Sequence, residues 1–208
     1  MEYRRFAMGA LWTNAYLLWD AEGVAVLVDP GGDPSEALGF AEEKGLEIEW
    51  ILLTHGHGDH IGGLDEARKR SRKGVAIHHA DATMLTSPEE NLSRWMGSPV
   101  KSGAADKVLE DGEIFWAGSI EVRVIHTPGH TAGSSCFLLR DGAKELLVSG
   151  DTLFARSVGR TDLPGGSETE LKSSLVKLAA LADTLPVLPG HGPETNLGRE
   201  KKENPYWP

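Results

Sequence analysis

The chain has a single cysteine, Cys136, so no intramolecular disulfide can form. That usage fits a reducing compartment. Long apolar runs are also missing. After Arg4 and Arg5, the apolar residues near the N-terminus are broken by Thr13 and Asn14 and closed by Asp20. This falls short of the roughly 20 residues a membrane-spanning helix needs and lacks the unbroken core of a signal peptide. The expectation is a cytoplasmic protein with no membrane partner. Basic residues are few: 21 Lys and Arg stand against 31 Asp and Glu, a formal net charge of −10. Nucleic-acid binders carry a basic face, so no nucleic-acid partner is expected. A small anionic substrate stays open, because a bound metal can outweigh the global field locally. There is no tandem repeat, low-complexity tract or linker, and residues 1–208 read as one domain.

Glycine, by contrast, is plentiful at 25 residues, and 40% of the chain is hydrophobic. Short apolar runs predict buried strands at Val24–Val28, Ile48–Leu53, Val75–Ile77, Ile120–Ile125, Cys136–Leu139, Glu145–Val148 and Pro186–Leu188. Helices are expected between them. Asp33-Pro34-Ser35-Glu36 has the form of a capping box with Pro in the first turn, and Gly45 is a stop. Ser167 to Glu170 repeats the box ahead of Leu171, Leu175, Leu178, Ala179 and Ala182, a spacing that gives one apolar face. Residues 86–107 are polar and broken by Pro88, Gly97, Pro99 and Gly103, which predicts a surface insertion with a short helix near Leu92–Met96. Alternating strands and helices indicate a layered α/β or α+β fold.

The strand Ile48–Leu53 runs into Thr54-His55-Gly56-His57-Gly58-Asp59-His60. Imidazoles and carboxylates are the usual ligands of zinc and similar ions, and the glycines let the backbone fold tightly enough for them to converge. The arrangement then recurs. Ile120–Ile125 leads to Pro128-Gly129-His130, Glu145–Val148 to Gly150-Asp151, and Pro186–Leu188 to Gly190-His191. Ligands at like ends of several strands can meet in one crevice. A merely solvated, His-rich loop would not repeat itself in this way.

His-x-His-x-Asp-His followed by a lone His, a lone Asp and a lone His resembles the metallo-β-lactamase superfamily over nearly the whole chain. The resemblance implies an α+β, four-layer αββα sandwich with its site at the edge where two sheets meet. It also implies two divalent metal ions, with zinc first and iron or manganese as alternatives. His55, His57 and His130 would hold one ion, Asp59, His60 and His191 the other, and Asp151 would bridge them. Such a pair supplies a hydroxide nucleophile at neutral pH, and Asp59 would orient it and accept its proton. Some members with Glu in place of the second His are di-iron oxidoreductases, and His57 favours hydrolysis.

Gly150-Asp151-Thr152-Leu153-Phe154, Gly159-Arg160-Thr161-Asp162-Leu163-Pro164 and the ending Asn204-Pro205-Tyr206-Trp207 are similar to the glyoxalase II-like group, in its short bacterial form. The implied function is metal-dependent hydrolysis of a small-molecule thioester, in the manner of S-D-lactoylglutathione cleavage by a hydroxyacylglutathione hydrolase. Arg160 matches a basic residue that contacts the thiol carrier. Asp162 stands where a tyrosine is usual, and the chain ends about where the glutathione-gripping helical domain of longer members begins. The rival readings are a mononuclear-iron persulfide dioxygenase, whose ligands match His55, His130 and Asp151, another hydrolase of the superfamily such as a β-lactamase or a lactonase, against which the loop after Asp151 argues, and a metal-binding module without catalysis.

Four further features have plainer readings. His78 and His79 follow a strand and are expected to point to opposite faces, as structural or exposed residues. His126 is either a partner orienting a ligand or a loop histidine. Cys136 is expected to be buried and inert. Trp95 and Met96 are candidates for the wall of a substrate cleft.

Overall fold

The computed structural model describes residues 1–95 and 97–208. One mixed sheet runs in the order β1 (Glu2–Met8), β2 (Thr13–Trp19), β3 (Val24–Val28), β4 (Glu47–Leu52), β5 (Val75–His78), β6 (Lys107–Leu109). Its first three strands are antiparallel, and β3 to β6 are parallel. The second sheet is built from β7 (Ile114–Ala117), β8 (Ile120–His126), β9 (Ser135–Asp141), β10 (Lys144–Gly150), β13 (Pro186–Pro189) and β14 (Thr195–Asn196). It is antiparallel except where β10 meets β13. A small hairpin, β11 (Leu153–Phe154) and β12 (Ser157–Val158), stands beside it.

Three apolar layers explain the four-layer stacking. Between the sheets lie Tyr16, Leu18, Val26, Val28, Leu52, Val124, Phe137, Leu139 and Val148. Alternate residues of the first sheet, Leu17, Leu27 and Ile51 among them, face outward. They meet Ala37 and Ala41 of α1 (Ser35–Lys44) and Leu64 and Ala67 of α3 (Leu64–Arg68). On the far side Leu138 and Leu147 meet Leu175 and Leu178 of α4 (Glu168–Ala179) and Leu197 of α5 (Leu197–Glu203). Strands covered on both faces have no need of polar alternation, which is why β3, β5 and β9 read as apolar runs, whereas β8 alternates, with Arg123 exposed.

The helices follow the sequence with two exceptions, the capping box of α1 and the apolar face of α4. Gly45 closes α1 with φ 67°, a conformation that favours glycine. Ser167 caps α4 by accepting from the Glu170 amide. At α1, however, Asp33 accepts from the Ser35 amide and hydroxyl, and Glu36 is drawn away to Arg4 on the neighbouring strand, so the box does not close. In α4 Ala179 is exposed, as is Ala182 beyond its end. The buried face is completed by Ser174, whose hydroxyl donates to the Pro128 carbonyl at 2.8 Å.

Candidate metal centre

The parallel strands set their C-terminal ends along one edge of the sandwich, and the ligand-bearing loops leave from there. The loop after β4 carries His55 to His60, with Gly58–Ile61 forming a single helical turn, α2. The loop after β8 carries His130, and β10 and β13 run straight into Asp151 and His191. The seven side chains named from the sequence converge. Ligand atoms of His55, His57 and His130 lie within 4.8 Å of one another, and so do those of Asp59, His60 and His191. Asp151 sits between the two groups. Its Oδ2 is 3.6 Å from Nε2 of both His130 and His191, and its Oδ1 is 3.3 Å from His60 Nε2.

Outer partners determine which ring nitrogen carries the proton. The Nδ1 of His130 faces the Arg160 carbonyl at 2.8 Å, and a carbonyl can only accept. Nδ1 of His60 faces Asp29 Oδ2 at 3.0 Å. Nδ1 of His55 faces Thr54 Oγ1 at 3.1 Å, and that hydroxyl spends its own proton on Asp29 Oδ2 at 2.6 Å. Each Nδ1 is therefore a donor, and each Nε2 is left facing the centre. That of His60 must give up a proton to bind an ion, because burial opposes its charge but Asp151, Asp59 and Asp29 outweigh the burial and raise its pKa well above the ordinary histidine range. Nε2 of His55, His57 and His60 and Oδ1 of Asp151 are buried with no hydrogen-bond partner, and His57 differs from the others in turning Nδ1 toward His130 Nε2, at 3.0 Å. Buried polar atoms left unpaired are costly, and here they point at one another. Divalent ions fit this donor set and would satisfy it. Burial and the surrounding imidazoles hold His55 well below the ordinary histidine range and His57 down at about 3, so both rings are neutral, as ligands must be. Burial opposes ionisation of Asp59, but His60 and His191 more than offset it and keep its carboxyl well below the usual range.

Two carboxylates not singled out in the sequence brace the site. Asp29 accepts from Thr54 N (2.8 Å), Thr54 Oγ1 and His60 Nδ1, and so fixes both ends of the first ligand loop. Its signal was present: Val24–Val28 followed by Asp29-Pro30-Gly31-Gly32 is another apolar strand running into a glycine-flanked acid. Asp81 accepts from Gly56 N, Thr131 Oγ1 and Gly133 N, which clamps the His55–His60 loop to the His130 loop. Its burial raises its pKa. It begins no motif, and only the folded chain brings it in. Gly190 is required by space, since a Cβ there would overlap Asp151 Oδ1 and the ring of His60.

The remaining candidates divide. The Arg160 side chain lines the cleft over the site but forms a two-point ion pair with Asp162, at 2.7 and 2.8 Å. His126 does not orient a ligand side chain; its Nε2 bonds the Ala132 carbonyl and its ring stacks on His78 at 3.9 Å. His78 and His79 do not point to opposite faces. The strand ends at His78, His79 begins a 3-10 turn, and the rings lie 4.3 Å apart. They group with Glu110, away from the seven-residue cluster. Cys136 is buried, and that burial pushes its thiol up to about 11. Between Thr86, which ends a 3-10 helix, and Lys107, which begins β6, the described residues of the insertion form one short 3-10 turn, Ser93–Trp95; Trp95 does line the cleft, and Met96 lies outside the described residues.

The fold and ligand set define a class of metal-dependent hydrolases, and the comparison with known proteins agrees. The sequence pattern of the Metallo-beta-lactamase superfamily matches residues 8–191, and the chain belongs to that family. It is 38% identical over 209 residues to the probable metallo-hydrolase YqgX of Bacillus subtilis, covering 99% of this chain and 97% of that protein. To the hydroxyacylglutathione hydrolase GloC of Haemophilus influenzae it is 34% identical, covering 95% and 93%. Among solved structures, the BLEG-1 B3 metallo-beta-lactamase superposes with a TM-score of 0.92 at 36% identity, covering 99% of each chain. TTHA1623, in a di-iron-bound form, superposes at 0.82 and 36% identity, covering 98% and 99%. Among the described residues no helix is long and apolar enough to cross a membrane.

Proposed function

We propose that this metallo-hydrolase cleaves thioesters, by the reaction of the hydroxyacylglutathione hydrolases. The carrying observation is the convergence of seven His and Asp side chains, three of which, His55, His60 and His130, are turned inward by outer partners on Nδ1. In the proposed roles His55, His57 and His130 hold one divalent ion and Asp59, His60 and His191 a second, with Asp151 shared. Bound ions would supply Lewis acidity and ionise water at neutral pH. Zinc suits the N and O donors, and the di-iron relative makes iron an equal candidate.

The chain's own groups do the rest. Asp59 Oδ2 lies 3.3 Å from both His191 Nε2 and Thr13 Oγ1, so it stays ionised and aimed over the cluster. There it takes the proton of the attacking water. The water oxygen adds to the thioester carbonyl carbon, the C–S bond breaks, and the thiolate departs with the bonding pair. A thiolate is a good leaving group and needs no strong general acid. That matches a cleft whose cation, Arg160, is already paired with a carboxylate. The sequence similarity to GloC supports the same reaction.

The test is metal analysis of the purified protein followed by a thioester screen with S-D-lactoylglutathione as reference. Two ions per chain and hydrolysis abolished by chelator are expected. One iron per chain with oxygen uptake on a persulfide, or no turnover of any thioester, overturns the reading.

A further inference from the structure

Resting on the thioester reading, we propose that the cleft selects an apolar acyl group of medium length on a thiol carrier that lacks carboxylates. The cleft over the His/Asp cluster encloses about 870 Å³, the size of a site for a whole small molecule. Its polar lining residues are His57, Asp59, His130, Asp151 and His191 of the cluster, with Arg160. The walls are apolar: Leu11 from the β1–β2 turn, Leu92 and Trp95 from the 86–107 insertion, Phe154 and Val158 from the small hairpin, and Leu163. A lactoyl group is small and hydroxylated, and would leave most of this wall in water.

These walls are exposed yet fixed. Trp95 is 69% exposed and Leu11 52%, in a chain otherwise rich in surface charge. Large exposed apolar side chains gathered at a cleft mark a binding surface. Leu92 is held at φ 65°, a region bulky side chains avoid. The fully buried Asn91 keeps it there. The Asn91 amide donates to the Met84 and Val100 carbonyls, both at 2.9 Å, and its oxygen accepts from Ser93 N. The backbone is thus strained to present Leu92 toward the cleft.

Charge disfavours the glutathione alternative. Glutathione carries two carboxylates, and Arg160, the Lys or Arg lining the cleft among the described residues, already spends two of its five N–H donors on Asp162. A carrier with carboxylates would have to displace Asp162 in a chain of net charge −10.

The experiment uses straight-chain acyl thioesters of N-acetylcysteamine, from acetyl to decanoyl, with S-D-lactoylglutathione alongside. Each methylene buried against the wall should raise kcat/KM about three- to fourfold until the wall is covered. Octanoyl should then exceed acetyl by at least about thirtyfold and also exceed S-D-lactoylglutathione. Binding is read separately on the metal-free protein, with non-hydrolysable S-alkyl thioethers of the same carrier in a calorimeter. Affinity should rise with chain length, with a negative heat-capacity change. Trp95→Ala should reduce the octanoyl-to-acetyl ratio at least about fivefold, and Trp116→Ala, on exposed β7, should leave it unchanged. If thioesters are hydrolysed but the series is flat and no thioether binds, or S-D-lactoylglutathione is preferred, this proposal falls and the hydrolase stands. If the thioethers bind with the expected slope but no thioester is hydrolysed, the apolar cleft stands and the thioester reading falls.

Discussion

Replacing Asp29 by Asn exchanges one oxygen for an amide nitrogen and keeps volume and shape. Asp29 adopts φ 48°, which Asn tolerates better than most residues, so the backbone gains no strain. The native carboxylate accepts three protons, from Thr54 N, Thr54 Oγ1 and His60 Nδ1. An Asn side chain has an acceptor on one side only. With its oxygen toward Thr54 N, the NH2 group confronts His60 Nδ1–H. The His60 proton must then shift to Nε2, the atom whose lone pair faces Asp59 and Asp151. With the amide turned the other way, His60 keeps its tautomer and Thr54 N–H is buried without a partner. That costs about 1–3 kcal/mol. Either way, the metal-free variant should lose about 1–3 kcal/mol of stability. Affinity for the ion held by His60 should fall about ten- to a hundredfold, the usual effect of removing such an outer partner, or roughly 1.4–2.8 kcal/mol. A chelator-competition titration reads the affinity, and denaturant unfolding of the metal-free protein reads the stability. Two ions bound within about twofold of the parent affinity would refute the claim that Asp29 sets the His60 tautomer.

Asp59→Ala should lower thioester turnover by more than about a hundredfold through misplaced reactants while the three-histidine position keeps its ion; metal per chain and rate on one sample check this, and near-parental turnover would remove Asp59 from the proton transfer. Gly190→Ala should fold but lose metal and activity together, because the new methyl takes the space of Asp151 Oδ1 and the His60 ring; metal content and circular dichroism separate the two. Cys136 should resist thiol reagents in the native protein, since its thiol, raised to about 11 by burial, is ionised in only about one molecule in a thousand at pH 8. Full labelling should appear in denaturant, and fast native labelling would contradict the burial.

All seven runs read as strands lie within observed strands or overlap them, because most are covered on both faces and read as apolar runs, while Ile120–Ile125, with Arg123 exposed, shows the alternation of a strand open on one face. The N-terminal pair was not legible. β1 is an edge strand with only Phe6 and Met8 buried, and β2 mixes Thr13 and Asn14 with apolar residues because those two serve the site loops. The ligand cluster was legible because a short, glycine-spaced motif carries four of its seven members. Asp81 was not, since its partners Gly56, Thr131 and Gly133 come from two distant loops. The His78 and His79 orientation was misread from strand alternation, which holds only while the strand lasts. The apolar character of the cleft was invisible in the sequence, apart from the suggestion of Trp95, because its walls come from four separate loops.

The division of the ligands between the two sheets has a consequence in time. His191 follows His60 by well over a hundred residues, and chains are made at about 5–20 residues per second. For on the order of ten seconds the growing chain displays three histidines and an aspartate that can capture an ion but cannot enclose it. The second sheet must then pack before the last ligands arrive. Asn14 and Tyr16, made at the very start, bond the Pro189 and Gly192 carbonyls beside His191. The earliest strands thus wait for the last loop, and on the proposed roles an ion acquired early would stay exchangeable until that seam is sewn.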